Sequence, residues 1–477
     1  MKKYKKIAAG LAAFSISLTL AGCSGYKFLG PSSTPGRSVT SSKFEEVYNL
    51  MKNEWYYGPE IENLDEQLID RALTGMTSFE EDIHTQYLQL DRSQTYNQQL
   101  AGSNKGIGIG CYQTVGGPLS IKSIYIDSPS DKAGLQAGDQ ILKIDDIDTT
   151  TKPIEELIDY IKTSDHPLIL EVNRKGEILN VELTAESYDS TVAFDKEDDL
   201  GLIILSSFSQ DSGKDCVEAM KRLEAAGVKN LIIDLRGNSG GYLHAMTTIA
   251  SALLPEDSVV FKERMRDGSE VESKVEKSDY KANFDHVYIL QNGNSASASE
   301  VLIGALKDNL GDKVTTIGSQ TYGKGTAQYN RIFDDGTTFK YTIAEWLTPN
   351  GSAVNKIGIA PDIDVPLDEY MTVQYQDMQE GDEPIRPDAV HPNAAALQVY
   401  LRYLGYPAER SDAYFSPASA EALKQFQQEH GMEPTGEADW NTFNAVVDAM
   451  GDKINTEGYE TDAVYQKAVE LIRNPQQ

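Results

Sequence analysis

The sequence predicts a multidomain α/β protein. Three observations carry this. Residues 200–205 and 230–235 are dominated by apolar residues, the pattern of strands buried on both faces. An amphipathic helical period over 213–226 separates them, and further β and α runs follow at 287–290, 299–308 and 314–317, which implies a layered α/β unit. A chain of 477 residues is also too long for one core.

Taken in order, the chain begins with Lys2, Lys3, Lys5 and Lys6, then an apolar stretch from 7 to 20 that is short for a bilayer span. Leu20-Ala21-Gly22-Cys23 follows and resembles the lipobox of bacterial lipoproteins, in which the cysteine is acylated and becomes the new N-terminus. Residues 1–22 are thus expected to be a lipoprotein signal peptide, Cys23 the lipidation site, and 23–42 a flexible Ser/Gly/Pro-rich tether. Residues 43–100 have helical periodicity, with Phe44, Val47, Tyr48 and Met51 on one face and Leu64, Leu68, Ile69 and Leu73 on another; polar residues at 82–87 interrupt it. Short β-branched runs split by glycine make 101–186 a small, partly open β-barrel with two helices. The layered unit spans 187–372. An acidic stretch with two prolines, 373–390, reads as a linker, 391–452 as three short helices, and 453–477 as a last helix and tail.

The formal net charge of −30 argues against nucleic-acid binding, which needs basic surface to neutralise phosphates, and against charge-driven docking on anionic lipid. Removing the signal makes the balance more negative still. Cys111 and Cys216 stand alone, with no CxxC or Cys/His cluster, so no metal is expected, and the sequence leaves open whether they pair.

Three segments carry candidate chemistry. After the 287–290 strand, Gly293 leads into Ser295-Ala296-Ser297-Ala298-Ser299-Glu300 and a helix. Small residues there permit a sharp turn at a helix N-terminus, where free N–H groups can hold an oxyanion; equally, Ser followed by Glu is a common helix cap. Which of the three serines would react stays open. Downstream, Gly323-Lys324-Gly325 offers a lysine that burial could turn into a base, with Gln328 four residues on to orient it; a solvated hairpin lysine is the plain alternative. Asp234-Leu235-Arg236-Gly237-Asn238-Ser239-Gly240-Gly241 follows a buried strand and could present further N–H donors, or be only a βα turn. None of the six histidines is near the serine or the lysine segment in sequence, so a nucleophilic serine would take Lys324 as its base.

Together, Asp-Leu-Arg-x-Asn-x-Gly-Gly, Ser-Ala-Ser-Ala-Ser-Glu and Tyr-Gly-Lys-Gly-Thr-x-Gln resemble the bacterial C-terminal processing peptidases, the tail-specific serine proteases, over about residues 40–372. Gly358-Ile359-Ala360-Pro361-Asp362 matches a phrase at the end of that family's core. The resemblance implies Ser297 as nucleophile, Lys324 as general base and Gln328 as its support. It also implies an oxyanion site made by the Ala298 N–H and one from Gly240 or Gly241, and no cofactor or metal. The 308–313 connection is slightly long for the family.

Gly106, Ile107, Gly108 and Ile109, after Lys105, resemble the carboxylate-binding loop of PDZ domains, as Gly138-Asp139-Gln140-Ile141 resembles their Gly-Asp-x-Ile signature. Residues 391–450 resemble the three-helix peptidoglycan-binding domain, although Asp412-Ala413-Tyr414-Phe415-Ser416 lacks both glycines of its usual turn, which makes the fold a firmer expectation than glycan affinity.

The expectation is therefore a lipid-anchored serine endopeptidase on the extracytoplasmic face of a bacterial cell membrane. It would use a Ser/Lys dyad to cut exported proteins near their C-termini, with PDZ recognition of the substrate's free C-terminus. Peptidoglycan is a candidate partner, and the last helix would either return to the core or pair subunits as a homodimer. The alternative is a non-catalytic cell-envelope adaptor using the PDZ and wall-binding modules.

Overall fold

The structure, a computed structural model, describes residues 39–101, 104–114, 116–188, 190–457 and 462–474. The expected signal peptide, Cys23 and most of the tether lie outside the described residues. The last tether positions do not continue as tether, because helix α1 (Val39–Asn53) already begins at Val39.

α1 packs with α2 (Leu64–Met76), and here the expected faces are covered only in part: Phe44 and Val47 are exposed, while Tyr48 and Met51 are half-buried. The polar interruption near 82–87 contains a strand, β1 (Gln86–Leu88), that joins a distant sheet; α3 (Leu90–Ala101) follows. A three-residue strand has no readable period of its own, and its partner lies about 250 residues away in sequence.

The next unit holds β2 (Asn104–Gly106), β3 (Ile109–Gln113), β4 (Leu119–Ile124), α4 (Pro129–Lys132), β5 (Gln140–Ile144), β6 (Ile147–Asp148), α5 (Ile154–Thr163), β7 (Leu168–Arg174), β8 (Glu177–Leu183) and β9 (Glu186–Tyr188). Its sheet runs β3-β4-β5-β7-β8, with β6 on β5. Leu157 and Ile161 of α5 enter the core with Leu119, Ile141, Leu168 and Val172, as the amphipathic period at 153–162 requires. The sheet leaves β3 as an edge strand.

The layered α/β unit contains β10 (Val192–Glu197), β11 (Leu200–Leu205), α6 (Ser212–Ala225), β12 (Asn230–Asp234), α7 (Leu243–Leu253), β13 (Val259–Met265), β14 (Glu270–Lys274), β15 (His286–Gln291), α8 (Ala298–Leu310), β16 (Val314–Gly318), β17 (Thr326–Ile332), β18 (Thr338–Leu347), β19 (Ile363–Asp364) and α9 (Glu369–Thr372). Its main sheet has the order β10-β11-β12-β15-β16-β19. The strands from β11 to β19 are parallel, and β10 is an antiparallel edge. Ile203, Leu205, Leu231, Ile233, Val287 and Ile289 point to one face, beneath α6, α7 and α8. A second sheet, β1-β18-β13-β14 with β17 on β18, stands beside it. The 308–313 connection is helical to Leu310, then a 3-10 turn.

The other face of the main sheet, with Leu202, Ile232, Tyr288, Leu290 and Ile317, is covered by Val464, Tyr465, Ala468 and Val469 of the last helix. This explains why these strands read as largely apolar runs. Before that helix comes a unit of β20 (Ala389–Val390), α10 (Ala394–Tyr403), β21 (Tyr414–Phe415), α11 (Pro417–Glu429) and α12 (Trp440–Glu457), and α13 (Ala463–Arg473) then returns to the main sheet. Two boundaries differ from expectation. The 373–390 stretch is no free linker: Met378 and Ile385 are buried in this unit's core, and Ile385 bridges Ala438. The boundary at 452 falls inside α12.

Candidate active site

The three motif segments meet at the C-terminal ends of parallel strands. β12 feeds the turn from Leu235 to Gly241, β15 feeds the serine turn, and β16 leads to the lysine loop. Ser297 ends the serine turn with φ 57° and ψ −117°, a conformation that L residues rarely adopt and that costs on the order of 1–3 kcal/mol.

The hydroxyls of the three serines have different fates. Ser295 Oγ donates to the Leu235 carbonyl at 2.8 Å, and Ser299 Oγ donates to the Asn238 carbonyl at 2.8 Å. Both therefore tie the serine turn to the neighbouring glycine-rich turn. Ser297 Oγ is buried and hydrogen-bonds to no described group. Gly240 lies directly against it: a Cβ there would stand 2.8 Å from Ser297 Cβ and 3.0 Å from the Ala298 nitrogen, so only glycine fits.

Around the oxyanion position, the Gly240 N–H is already committed to Asn238 Oδ1 at 2.9 Å. The bridge between Phe208 and Gly241 uses the Gly240 carbonyl and the Tyr242 N–H, so the Gly241 N–H has no part in it. Of the two glycines, Gly241 has the donor to spare. Ala298 is the first residue of α8, where N–H groups lack intrahelical acceptors.

Glu300, three residues after Ser297, fixes the lysine loop to the serine turn. Its Oε2 accepts from the Ser297 N–H at 2.8 Å and from the Lys324 N–H at 2.9 Å, so these two nitrogens can be no farther apart than the two bonds laid end to end. Its Oε1 accepts from the Gly323 N–H and Thr321 Oγ1, both at 2.6 Å. Burial raises the Glu300 pKa, against the pull of these four donors. The sequence placed Glu300 as an ordinary cap partner; its reach to residues 321–324 has no local signal.

Lys324 is 1% exposed, far from the solvated hairpin lysine that its sequence also allowed. Burial, aided by the positive charge of Lys340, holds its amine well below the usual lysine value. The flanking glycines bring the loop against residues 355–358: a Cβ on Gly325 would meet the Asn355 nitrogen at 2.2 Å, and Lys356 N–H donates to the Gly323 carbonyl. The Gly358–Asp362 phrase braces the same loop, with Ile359 N–H donating to Thr321 Oγ1 at 2.7 Å. Trp346 Nε1 donates to the Lys324 carbonyl at 2.8 Å. Gln328, on β17, donates through Nε2 to Thr326 Oγ1 at 2.7 Å, and its buried Oε1 has no hydrogen-bond partner.

Sequence distance missed a second group of residues. β1 pairs with β18 so that Gln86 faces Lys340, and this carries His84 into the electrostatic neighbourhood of Lys324. Burial and the charges of Lys324 and Lys340 depress the His84 pKa to about 4, so the ring is neutral, and its Nδ1 is buried without a partner. Lys340 is itself buried, and its pKa falls to about 8. Residues 80–84 and 322–326 face each other across a cavity of about 370 Å3. Among the described residues no group of His, Cys, Asp and Glu side chains is arranged to hold a metal.

In the barrel-like unit, Gly106, Ile107, Gly108 and Ile109 line a groove of about 230 Å3 facing Ile158 and Lys162 of α5, with Tyr125 and Tyr188 at its side. Gly108 has φ 79°, and Ser128 leaves no room there for a Cβ. Cys111 also lines the groove; it and Cys216 are free thiols, with burial raising the Cys111 pKa to about 11.

Comparison with known proteins agrees with this geometry. Residues 199–365 match the model of peptidase family S41, 120–174 that of a PDZ domain, and 390–446 that of a peptidoglycan-binding domain described as putative. The chain is a serine-type peptidase whose residues 199–365 match family S41. It is 27% identical over 467 residues to the carboxy-terminal processing protease CtpA of Bacillus subtilis (strain 168), covering 97% of this chain and 96% of that one. A probable CtpA-like serine protease of Staphylococcus aureus (strain COL) is 28% identical over 439 residues, 91% of this chain and 85% of the other. Among solved structures, a photosystem II D1 C-terminal processing protease is similar at 24% identity and a TM-score of 0.39, over 68% of this chain and 86% of that one. All three motif segments fall inside the S41 match, and the groove of the PDZ unit begins upstream of the PDZ match.

Proposed function

We propose that this serine-type peptidase cuts exported polypeptides near their C-termini, with Ser297 as nucleophile and Lys324 as general base. The observation that carries the reading is the Ser297 hydroxyl. It is the one member of the serine run left without a hydrogen bond, on a strained turn, and Glu300 ties that turn to the loop of a buried, low-pKa lysine. Ser297 Oγ attacks the scissile carbonyl as Lys324 Nζ takes its proton. The N–H groups of Ala298 and Gly241 hold the oxyanion, and water then releases the acyl-enzyme. The free Gln328 Oε1 accepts from the protonated amine once the proton has moved. Contact between hydroxyl and amine tightens when substrate fills the site.

In this reading, the groove at 106–109 takes the substrate's terminal carboxylate on backbone N–H groups, with Lys162 beside it and β3, the edge strand that α12 approaches, as the partner for strand addition. The Cys23 lipobox motif supports anchoring at the extracytoplasmic face of a cell membrane, and the 390–446 match supports peptidoglycan contact. Pairing of two copies would need a surface other than the buried face of α13.

The test is cleavage of an unstructured protein with a free C-terminus by residues 24–477 and by the Ser297→Ala variant. The parent should cut and the variant should not. Cleavage that persists in Ser297→Ala would sink the mechanism, and an inert parent would favour an adaptor role.

A further inference from the structure

The region matching family S41 ends at residue 365, yet one face of the main sheet is finished by α13, beyond the peptidoglycan-binding unit. α13 does more than cover apolar strands. Its N-cap, Asp462, accepts from the Val464 and Tyr465 N–H groups at 3.0 Å each, and the same carboxylate receives Arg236 Nη1 at 2.7–2.8 Å. On its other side the Arg236 guanidinium donates to Asp234, through Nε at 2.9 Å and Nη2 at 2.6 Å. Arg236 is thus held between the end of β12 and the start of α13, largely shielded from water.

Arg236 opens the turn that carries the oxyanion donors. The next residues are fixed in sequence: Gly237 N–H donates to Asn292 Oδ1, Asn238 Nδ2 to the Leu205 carbonyl, and Gly240 rests on Ser297. Arg236 is the point at which an element outside the S41 match grips this turn.

We propose that α13 is a working part of the peptidase and that Asp462 is a positioning residue, setting the oxyanion turn through Arg236. The inference rests on the Ser297 reading above. Arg236 Nη1 reaches both Asp462 oxygens while Nε and Nη2 hold Asp234, so Asp462 closes the guanidinium from its second side; losing it lets the Gly241 donor drift from the site where charge develops, without removing any group that binds ground-state substrate.

The experiment uses residues 24–477 with Asp462→Ser, which keeps a hydroxyl cap for α13 but cannot pair with Arg236; Asp462→Glu, which keeps the charge; and Arg236→Lys, which leaves the cap untouched. Steady-state cleavage is read beside the affinity of a peptide boronate, a mimic of the tetrahedral state. For Asp462→Ser we expect kcat to fall about tenfold with KM within about twofold, boronate affinity to fall in step, and the thermal transition to stay single. Asp462→Glu should recover most of kcat. Arg236→Lys should resemble Asp462→Ser, and the double variant should be no worse than the poorer single one. Parental kcat and boronate affinity in Asp462→Ser would overturn the inference, as would a loss that merely tracks the fraction of unfolded protein. A parent whose cleavage survives Ser297→Ala removes the underlying reading, and this inference with it.

Discussion

The peptidase site and the PDZ groove solve opposite problems. Ser297, Lys324, Gln328 and Glu300 are all buried, and Glu300 ties the serine turn to the lysine loop 24 residues further along the chain. The groove at 106–109 is lined by a glycine-rich backbone and by side chains that range from the buried Ile107 to the exposed Lys162, beside the edge strand β3. Chemistry here depends on excluding water and perturbing the pKa of an amine; recognition depends on leaving N–H groups unclaimed. Substitutions in the first region should therefore act on kcat, and those in the second on KM.

The largest effect tests the buried side. Lys324→Met should lower kcat by about 10^4-fold or more while peptide affinity for the groove is retained, as calorimetry with a C-terminal peptide would show. Retained cleavage would separate the low-pKa lysine from catalysis. Next, Gly240→Ala forces a methyl against Ser297 and Ala298, and should cost about 100-fold in kcat with little change in KM.

A subtler effect separates electrostatics from packing. In the proposed mechanism Lys324 is a base only when neutral, and the positive charge of Lys340 helps to keep its pKa low. Lys340→Met removes that charge, so the Lys324 pKa should rise and the acid limb of the kcat profile should move to higher pH by about half to one unit. Rates of variant and parent should converge at alkaline pH. A limb that stays in place would show that burial alone sets the amine.

The smallest expected effect lies in the groove. Lys162→Glu should raise KM about three- to fivefold for substrates with a free C-terminal carboxylate, leave kcat unchanged, and have no effect on C-terminally amidated ones. A fall in kcat instead would mean that the groove gates the active site.

Much of the peptidase unit was legible because its signals are local. Strands buried on both faces announce themselves as apolar runs, and the small residues at 295–299 and 323–325 mark turns wherever they occur. What the sequence hid is long-range. Choosing among Ser295, Ser297 and Ser299 needs the carbonyls of Leu235 and Asn238, which claim two of the hydroxyls. His84 looked remote because the strand that carries it close to Lys324 is three residues long and pairs with β18. Residues 373–390 read as a linker because their polar composition outweighs two buried anchors, Met378 and Ile385. In the PDZ unit the glycine loop was visible, but Tyr188 reaches the groove through the pairing of β9 with β2, which no periodicity foretells.

The return of α13 to the main sheet also sets an order of maturation. A chain made and threaded from its N-terminus completes Ser297, Lys324 and the glycine turn long before residues 463–473 emerge. Until they do, Leu202, Ile232, Tyr288, Leu290 and Ile317 have no cover, and Arg236 has only Asp234. Newly made chain would thus carry an uncovered sheet face and a half-held Arg236 until the helix docks.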